Sequence, residues 1–282
     1  MKTVYLDCFS GISGNMFVGM LLQAGVPFEA FKTAMNSLGL DGYSFVFEPV
    51  SKLGIQAVYY NVQLDSEHAY APHHEHAHVE QGHHDHDDLQ QHQNEIVDMT
   101  GHHHHHAHRG LPEIMEIINN SPMPAGVKEK SLAVFQELAQ AEAKVHGVPV
   151  EEIHFHEVGA VDCILDIVGT VWGLDYLGIE QIGSSPLHVG SGFVRCAHGV
   201  MPVPAPATAE LLCGIPYYST DVKGELVTPT GAALVKTLAS YIGPHPQSFV
   251  HEKTAYGAGT KNLAIPNVVR GFLGTADKWQ LR

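Results

Sequence analysis

The sequence of 282 residues has few cysteines and no long apolar segment. Its four cysteines (Cys8, Cys163, Cys196 and Cys213) are far apart and include no C-x-x-C pair. This spacing argues against a disulfide framework and favours reduced thiols in a cytosol. No stretch approaches the length of a membrane span, and the N-terminus MKTVYLDCFSG lacks the apolar core of a signal peptide. We therefore expect a soluble, cytoplasmic protein without a membrane partner.

Basic residues are also scarce. Lys plus Arg number 15 against 30 Asp plus Glu, which gives a formal net charge of -15. A surface of this sign repels nucleic acid and anionic lipid, so neither is an expected partner. It attracts divalent cations instead.

Histidine, by contrast, is abundant and concentrated. Fifteen of the 22 histidines fall between His68 and His108, in runs such as PHHEHAHVEQGHHDHDD and GHHHHHAH. Imidazole is a good ligand for copper, nickel and zinc, and composition alone does not choose among them. We predict that residues 68–110 form a disordered, metal-binding insertion that stores or delivers ions. A flexible segment of this kind does not hold ligands precisely enough for catalysis.

Two simpler interpretations of this tract are an expression tag and a solvated insertion. A tag would stand at a terminus, whereas this run lies inside the chain. A solvated insertion fits the scarcity of apolar residues and stays open as an alternative. The predicted ligands in the tract are His73, His74, His76, His78, His83, His84, His86, His102, His103, His104, His105, His106 and His108.

Hydrophobic periodicity predicts a mixture of helices and strands without strict βαβ repetition. A strand at Val4–Leu6 and a hairpin formed by SFVFEPV and IQAVYYNVQL are expected. Helices are expected at about 16–24, 29–37, 111–120 and 124–146, after Glu157, and near Pro206 and Pro229. The predicted fold class is α+β (irregular α/β), with a mixed sheet and packed helices. Residues 1–67 and 111–282 are expected to be the two parts of one catalytic domain, interrupted by the insertion.

The first candidate site is the loop DCFSGISGN after the first strand. Asp7 lies at the carboxyl end of that strand, where ligands and metals often bind in open sheets. Backbone N–H groups at the start of the next helix form a possible anion cradle, with Ser10, Gly11, Ser13 and Gly14 as its predicted residues. The alternative is a glycine turn that only allows close packing of strand and helix.

The second candidate site is the segment IHFHEVGAVDCILDIVG. His154 and His156 are two residues apart, and Glu157 adjoins them. Asp162 and Asp166, four residues apart, share one face of the predicted helix. We predict a metal site from these five residues. The alternative is that the two aspartates are the solvated side of the helix, and that Gly169 and Gly173 beside them form a helix-packing groove.

The remaining candidates are single residues. Arg195 is a possible partner for a carboxylate or phosphate, and His198 is a possible ligand or base. Lys261, after the two glycines of YGAGTKN, is a possible anion contact. Thr228 is predicted to cap the helix that starts at Pro229.

Six segments occur in an order typical of one family: LDCFSGISGNM, the His-rich insertion, HFHEVGAVDCILDIVG, SPLHVGSGFV with HGVMPVPAPAT, GELVTPTGAAL and YGAGTKN. Over nearly its whole length the chain resembles the LarC family of nickel insertion proteins. The resemblance implies a nickel chelatase (cyclometallase, lyase class) that completes the nickel-pincer nucleotide cofactor of lactate racemase. The implied substrate is a pyridinium-3,5-bisthiocarboxylic acid mononucleotide, and the implied requirements are nickel, manganese and CTP.

The resemblance also implies a C-terminal nucleotide-binding domain, so we expect the CTP site outside this chain, in a possible separate partner. A homo-oligomer is expected as well. Two residues depart from the family pattern: Asn15 replaces the usual Asp, and Cys163 stands where Ser is common. If the family's Asp at position 15 binds a metal, we expect this chain to bind that metal less tightly, unless Asp7 alone is sufficient to bind it.

These observations give a hypothesis for the mechanism and two alternatives. In the hypothesis, the histidine tract supplies Ni²⁺ to His154, His156, Glu157 and Asp162. These residues hold the ion briefly and release it to the thiocarboxylate sulfurs of the substrate. One of His156, Glu157 and His198 is the base that removes the proton from the pyridinium carbon that binds nickel. One alternative is a nickel storage or delivery protein without chemistry of its own. The other is a metal-dependent phosphohydrolase built on Asp7, Asp162 and Asp166.

Overall fold

The structure is a computed structural model that describes residues 1–65, 109–153, 155, 161–196, 199–247 and 249–279. The histidine tract therefore lies outside the described residues, as do four predicted site residues, His154, His156, Glu157 and His198. Among the described helices, none is long and apolar enough to cross a membrane.

The helices of the described residues lie close to the predicted positions. They are α1 (Gly14–Ala24), α2 (Phe28–Asn36), α3 (Leu111–Asn120), α4 (Ala125–His146), α5 (Val161–Tyr176), α6 (Pro206–Leu211) and α7 (Pro229–Leu238). The helices predicted near Pro206 and Pro229 begin at these residues, because proline is already fixed at a helical φ and lacks only an N–H that a first turn does not use.

The strands are more numerous than the hydrophobic pattern predicted. They are β1 (Lys2–Asp7), β2 (Tyr43–Lys52), β3 (Ile55–Leu64), β4 (Gln181–Ser184), β5 (Leu187–His188), β6 (Gly190–Ser191), β7 (Phe193–Cys196), β8 (Gly199–Pro202), β9 (Tyr217–Tyr218), β10 (Gly224–Glu225), β11 (Tyr241–Ile242), β12 (Val250–Ala258) and β13 (Val268–Thr275).

Seven of the described strands form one mixed sheet in the order β11-β4-β1-β13-β12-β3-β2. β1 runs parallel to β4 and antiparallel to β13, and β12 runs parallel to β3. The predicted hairpin is β2–β3, which turns at Leu53 and Gly54, both at positive φ. The α+β class with a mixed sheet is confirmed. Strands from both sides of the histidine tract share this sheet.

The sheet separates a large core from a smaller one. In β1, Val4 and Leu6 face the helices and belong to the main core. Tyr5 points to the other face and packs with Phe249, Phe272 and Trp279. This alternation is the period of two that a strand imposes on its side chains.

Helix α1 lies very close to the sheet because glycines replace side chains at the contact. A Cβ on Gly257 of β12 would lie 1.7 Å from the carbonyl oxygen of Met16, and one on Gly19 would lie 2.7 Å from that of Val58. The glycines of YGAGTKN therefore serve packing: Gly257 faces α1, and Gly259 faces Asn267. This packing fixes the height of the N-terminus of α1 above the sheet.

Helix α5 packs against α1 and α2 in the same way. A Cβ on Gly169 would lie 2.7 Å from the ring of Phe31, and one on Gly173 would lie 3.0 Å from Leu21. These two glycines thus form the helix-packing groove that the sequence left open as an alternative. The aspartates one and two turns earlier do not share that role, as described below.

A candidate cation-binding and substrate-binding cavity

Two glycine-containing loops run side by side beneath the candidate site. The N–H of Ile12 donates to the carbonyl of Leu226 at 2.9 Å, and the N–H of Thr228 donates to the carbonyl of Ile12 at 3.2 Å. Gly11 has φ +76°, and a Cβ on it would lie 1.9 Å from the oxygen of Leu226. The motifs DCFSGISGN and GELVTPTGAAL are therefore held together by their backbones.

Helix α5 joins these loops through Asp166. A Cβ on Gly14 would lie 2.6 Å from both the Cβ and the Oδ2 of Asp166. The backbone N–H of Asn15 also donates a hydrogen bond to the Asp166 carboxylate. The negative group at the start of α1 is thus a side chain of the protein itself, placed where the helix dipole favours it.

These segments contribute to the lining of an open polar cavity of about 220 Å³. The described residues that line it come from the first loop, β3, the first two turns of α5, the start of α7 and the turn after β12. They are Ser13, Gly14, Asn15, Asn61, Val62, Asp162, Cys163, Asp166, Thr228, Pro229, Thr230 and Thr260.

Both aspartates of the cavity have an oxygen without a partner. Oδ1 of Asp162 and Oδ1 of Asp166 are buried and accept no hydrogen bond from a described residue. Burial raises the pKa of the Asp162 carboxyl, and backbone N–H groups at the start of α5 oppose the rise. Burial and then the charge of Asp162 raise the pKa of Asp166 well above its ordinary value, against the N–H of Asn15. The pair is therefore not the solvated side of a helix.

The polar neighbours of the pair are partly fixed by hydrogen bonds. The hydroxyl of Ser13 donates to Oδ1 of Asn15 at 2.5 Å, and Nδ2 of Asn15 donates to the carbonyl of Tyr60 at 3.3 Å. An aspartate in place of Asn15 would lack this donor. The Cys163 thiol lies 3.3 Å from Oγ1 of Thr230, and burial raises its pKa well above the ordinary value. The thiol is therefore protonated and a poor metal ligand.

Asp7 does not line this cavity. Its Oδ2 accepts hydrogen bonds from Nε and Nη2 of Arg270, at 3.1 and 2.5 Å. The guanidinium lies over the rings of Phe9 and Phe272, 5.6 and 4.9 Å from their centroids. A carboxylate already paired with arginine is a weak candidate for a metal ligand. A phosphohydrolase site built on Asp7, Asp162 and Asp166 therefore has no support from this arrangement.

The other predicted contacts are dispersed. Ser10 is completely buried within the loop, and Gly11 faces Leu226. Arg195 is exposed on the β7–β8 hairpin. Lys261 donates from Nζ to the carbonyl of Glu225 at 2.9 Å, next in sequence to Thr260 of the cavity. Of the predicted site residues, the cavity brings together Ser13, Gly14, Asp162 and Asp166.

His188, in the segment SPLHVGSGFV, is a structural residue. It is buried; Nδ1 donates to the carbonyl of Phe9 at 2.7 Å, and Nε2 accepts from the hydroxyl of Thr220 at 2.8 Å. Its ring stacks on Tyr218. Both ring nitrogens are used, so it has none to offer a metal.

Within the described part of the chain, no group of three or more His, Cys, Asp and Glu side chains is arranged to hold a metal. The predicted nickel ligands apart from Asp162 and Asp166 lie outside the described residues, and their roles stay predictions. The segment from His156 to Ala160 leads directly into Val161, the first residue of α5, so it adjoins the acid pair in sequence.

The sequence reasoning did not assign a binding role to Asn61, Thr228, Thr230 or Thr260, all of which line the cavity. Thr228 was predicted as the N-cap of α7, and its Oγ1 does accept from the N–H of Gly231 at 3.1 Å. Asn61 carried one usable signal, a polar residue between apolar neighbours in β3. For the threonines no local pattern indicates a binding role.

Fold and site define an α+β protein with a carboxylate-bearing polar cavity suited to a cation or a small polar ligand. The chain belongs to the nickel insertion protein family, whose sequence profile matches residues 4–281.

Similar proteins include two named pyridinium-3,5-bisthiocarboxylic acid mononucleotide nickel insertion protein. The one from Desulfitobacterium hafniense (strain DSM 10664 / DCB-2) is 46% identical over 99% of this chain and 61% of its own length. The one from Geobacillus kaustophilus (strain HTA426) is 44% identical over 97% of this chain and 60% of its own length. The chain thus spans about three fifths of these relatives. No protein of known structure matches it.

Proposed function

We propose that this chain carries the metallating part of an enzyme that inserts Ni²⁺ into pyridinium-3,5-bisthiocarboxylic acid mononucleotide. The proposal makes it a nickel chelatase, or cyclometallase, of the lyase class. Family membership supports it, as do the names of the relatives. The observation that carries it is the polar cavity at the start of α5, a helix that begins four residues after Glu157 of the sequence His154-Phe155-His156-Glu157.

Nickel is the substrate ion in this reaction. We assign it to the imidazoles of His154 and His156 with Glu157, beside Asp162. Nitrogen and oxygen donors bind Ni²⁺ and yield it to sulfur more readily than a thiolate site would. As the nickel–carbon bond forms, the ring carbon loses its proton to a base, for which His156, Glu157 and His198 are the candidates.

The cavity is assigned to the nucleotide. The hydroxyls of Ser13, Thr230 and Thr260 are donors suited to a phosphate or ribose, and about 220 Å³ accommodates the sugar phosphate rather than the whole molecule. The histidine tract is assigned to the supply of nickel. Manganese, CTP, a separate polypeptide with the nucleotide-binding function and a homo-oligomeric state complete the proposal for the whole protein; the CTP site is assigned outside this chain.

The test is a metallation assay followed by mass spectrometry. The chain is incubated with the thiolated mononucleotide, Ni²⁺, Mn²⁺ and CTP, with and without the C-terminal part of a longer relative. A nickel-bearing product is expected, and it should disappear when His154, His156 and Glu157 are replaced by alanine. Unchanged metallation by that folded triple variant would contradict the assignment of the nickel ligands.

The second candidate function is nickel storage and delivery without chemistry, and the histidine content of the tract favours it. In that case the chain binds several Ni²⁺ ions but yields no product under any of these conditions.

A further inference from the structure

The acid pair of the cavity lacks a cationic partner. No Lys, Arg or His is among the described residues that line the cavity. The ion pairs of the described residues involve other carboxylates, those of Asp7, Glu137, Glu142 and Glu210. Each of the two carboxylates has one buried oxygen, and the charge of Asp162 acts on Asp166 with no counter-charge in the cavity lining. Buried charges in proteins are normally paired or bound to a metal.

Further buried oxygens around the pair are unsatisfied as well. The Tyr60 side chain is completely buried, and its hydroxyl has no partner among the described residues. The Tyr60 carbonyl accepts from Nδ2 of Asn15 in the cavity lining, and after burial the charge of Asp166 is the largest cause that raises the pKa of the Tyr60 hydroxyl well above its ordinary value. Thr170, one turn beyond Asp166 on α5, is also completely buried, and its Oγ1 has no described partner. Such a concentration of orphaned oxygens calls for an ion or bound water.

The donors identify the kind of ion. Apart from the Cys163 thiol, which is bonded to Thr230, the polar side chains of the cavity offer oxygen or amide groups. Mg²⁺ and Mn²⁺ prefer such donors and are usually held by one or two carboxylates, waters and a phosphate of the ligand. Ni²⁺ instead prefers imidazole nitrogen as a ligand.

We propose that Asp162 and Asp166 bind one hard divalent cation, Mg²⁺ or Mn²⁺, that is separate from the nickel ion being inserted. The cation neutralises the pair and presents its remaining positions to the phosphate of a mononucleotide in the cavity. The cation site stands on the structure alone; its link to the phosphate rests on the proposed function. In this proposal Asp162 does not belong to the nickel site, and His154, His156 and Glu157 hold nickel.

The test measures binding of Mn²⁺ to the full chain by electron paramagnetic resonance, without nickel or substrate. Mg²⁺ is then added, because imidazoles in the histidine tract bind Mg²⁺ poorly and only an oxygen site should release its Mn²⁺ to it. The wild type is expected to hold one Mn²⁺ that Mg²⁺ displaces. Asp162→Asn and Asp166→Asn are expected to weaken this binding at least about tenfold.

The matched control is Asp175→Asn, since Asp175 is an exposed residue on the same helix. Equal displaceable binding in all four proteins, or none in the wild type, would overturn the cation site. Circular dichroism confirms that each variant is folded; asparagine is isosteric and removes a buried charge, so unfolding is not expected.

A second arm adds nicotinamide mononucleotide, a stable pyridinium mononucleotide. Tighter Mn²⁺ binding in the wild type, absent in Asp166→Asn, supports the phosphate contact, and an unchanged affinity refutes that contact. The metallation assay is independent of both arms. Mn²⁺ binding without metallation rejects the proposed function alone, and metallation without a displaceable Mn²⁺ rejects the cation site alone.

Discussion

Among the single residues of the site, Asp166 is a carboxylate of α5 that caps the start of another helix, α1. It accepts from the N–H of Asn15 at the start of α1, and Gly14 leaves the space for it. A phosphate would compete for this same position. The anion cradle predicted from the loop therefore exists as backbone geometry, but within the protein its occupant is an aspartate. Nucleotide phosphate is better placed at the hydroxyl side of the cavity.

The raised pKa of Asp166 gives a pH dependence of known sign. A carboxyl whose pKa in the folded state exceeds the ordinary value of 3.8 binds its proton more tightly when folded. Its contribution to stability is complete below about pH 4 and is lost as the pH rises. In EDTA at pH 7, Asp166→Asn is therefore expected to be more stable than the wild type, by about 1–3 kcal/mol.

Urea unfolding at several pH values checks this expectation. The stability difference should shrink towards zero at pH 3, where the wild-type carboxyl is protonated in both states. Asp175→Asn should show no comparable pH-dependent gain. A constant difference across the pH range would mean that asparagine acts through packing rather than through charge.

At the scale of elements, the contact between α1 and β12 positions the whole cavity. The carbonyl of Met16 lies where a Cβ of residue 257 would be, at 1.7 Å. Backbone atoms cannot yield as a flexible side chain does. Gly257→Ala should therefore displace α1 and destabilise the fold by about 3 kcal/mol or more.

Gly126→Ala is the matched control, because nothing lies within 4 Å of the added Cβ and the residue is helical. It should be neutral or stabilising by less than about 1 kcal/mol. Both are measured by urea denaturation. Equal stability of the two variants would show that the α1–β12 contact is looser than the structure has it.

The start of α7 provides a second test at this scale. Oγ1 of Thr228 accepts from the N–H of Gly231 at 3.1 Å and caps the helix whose first turn lines the cavity. Thr228→Ala should cost about 1 kcal/mol, whereas Thr228→Ser keeps the acceptor and should cost less. The denaturant midpoints of the two variants test this prediction. If Thr228→Ser is as unstable as Thr228→Ala, the lost methyl group rather than the lost acceptor causes the effect.

Sequence patterns predicted the elements better than their contacts. The periodicity of α5 indicated that Asp162 and Asp166 share a face, but whether that face meets water depends on α1, which is far away in sequence. Whether a glycine serves packing or binding could not be predicted for the same reason, because its role depends on contacts with distant segments. In YGAGTKN the glycines precede the predicted anion contact Lys261, but only the approach of Met16 explains Gly257. Long-range pairing of β1 with β13 has no local signal at all.

At the scale of the molecule, the described residues on either side of the histidine tract, Asp65 and Arg109, both lie near the segment 38–42. After β3, the N–H of Asp65 donates to the carbonyl of Gly42 at 2.9 Å. Before α3, Arg109 lines a cavity with Leu38 and Gly39. Because both flanking residues adjoin this segment, we expect that a short linker can replace the tract without distorting the sheet.

Replacement of residues 68–108 by a short Gly/Ser linker is therefore expected to preserve the fold. Shortening a loop several-fold changes its closure free energy by only about 1–2 kcal/mol, in favour of the folded state. Thermal unfolding checks this, and isothermal titration should show the loss of several Ni²⁺ ions per chain. In the metallation assay the variant should need more nickel for half-maximal rate but reach the wild-type rate at saturation. If no product forms at saturating nickel although the variant is folded, the tract itself performs the essential step, and nickel delivery becomes the better description of this chain.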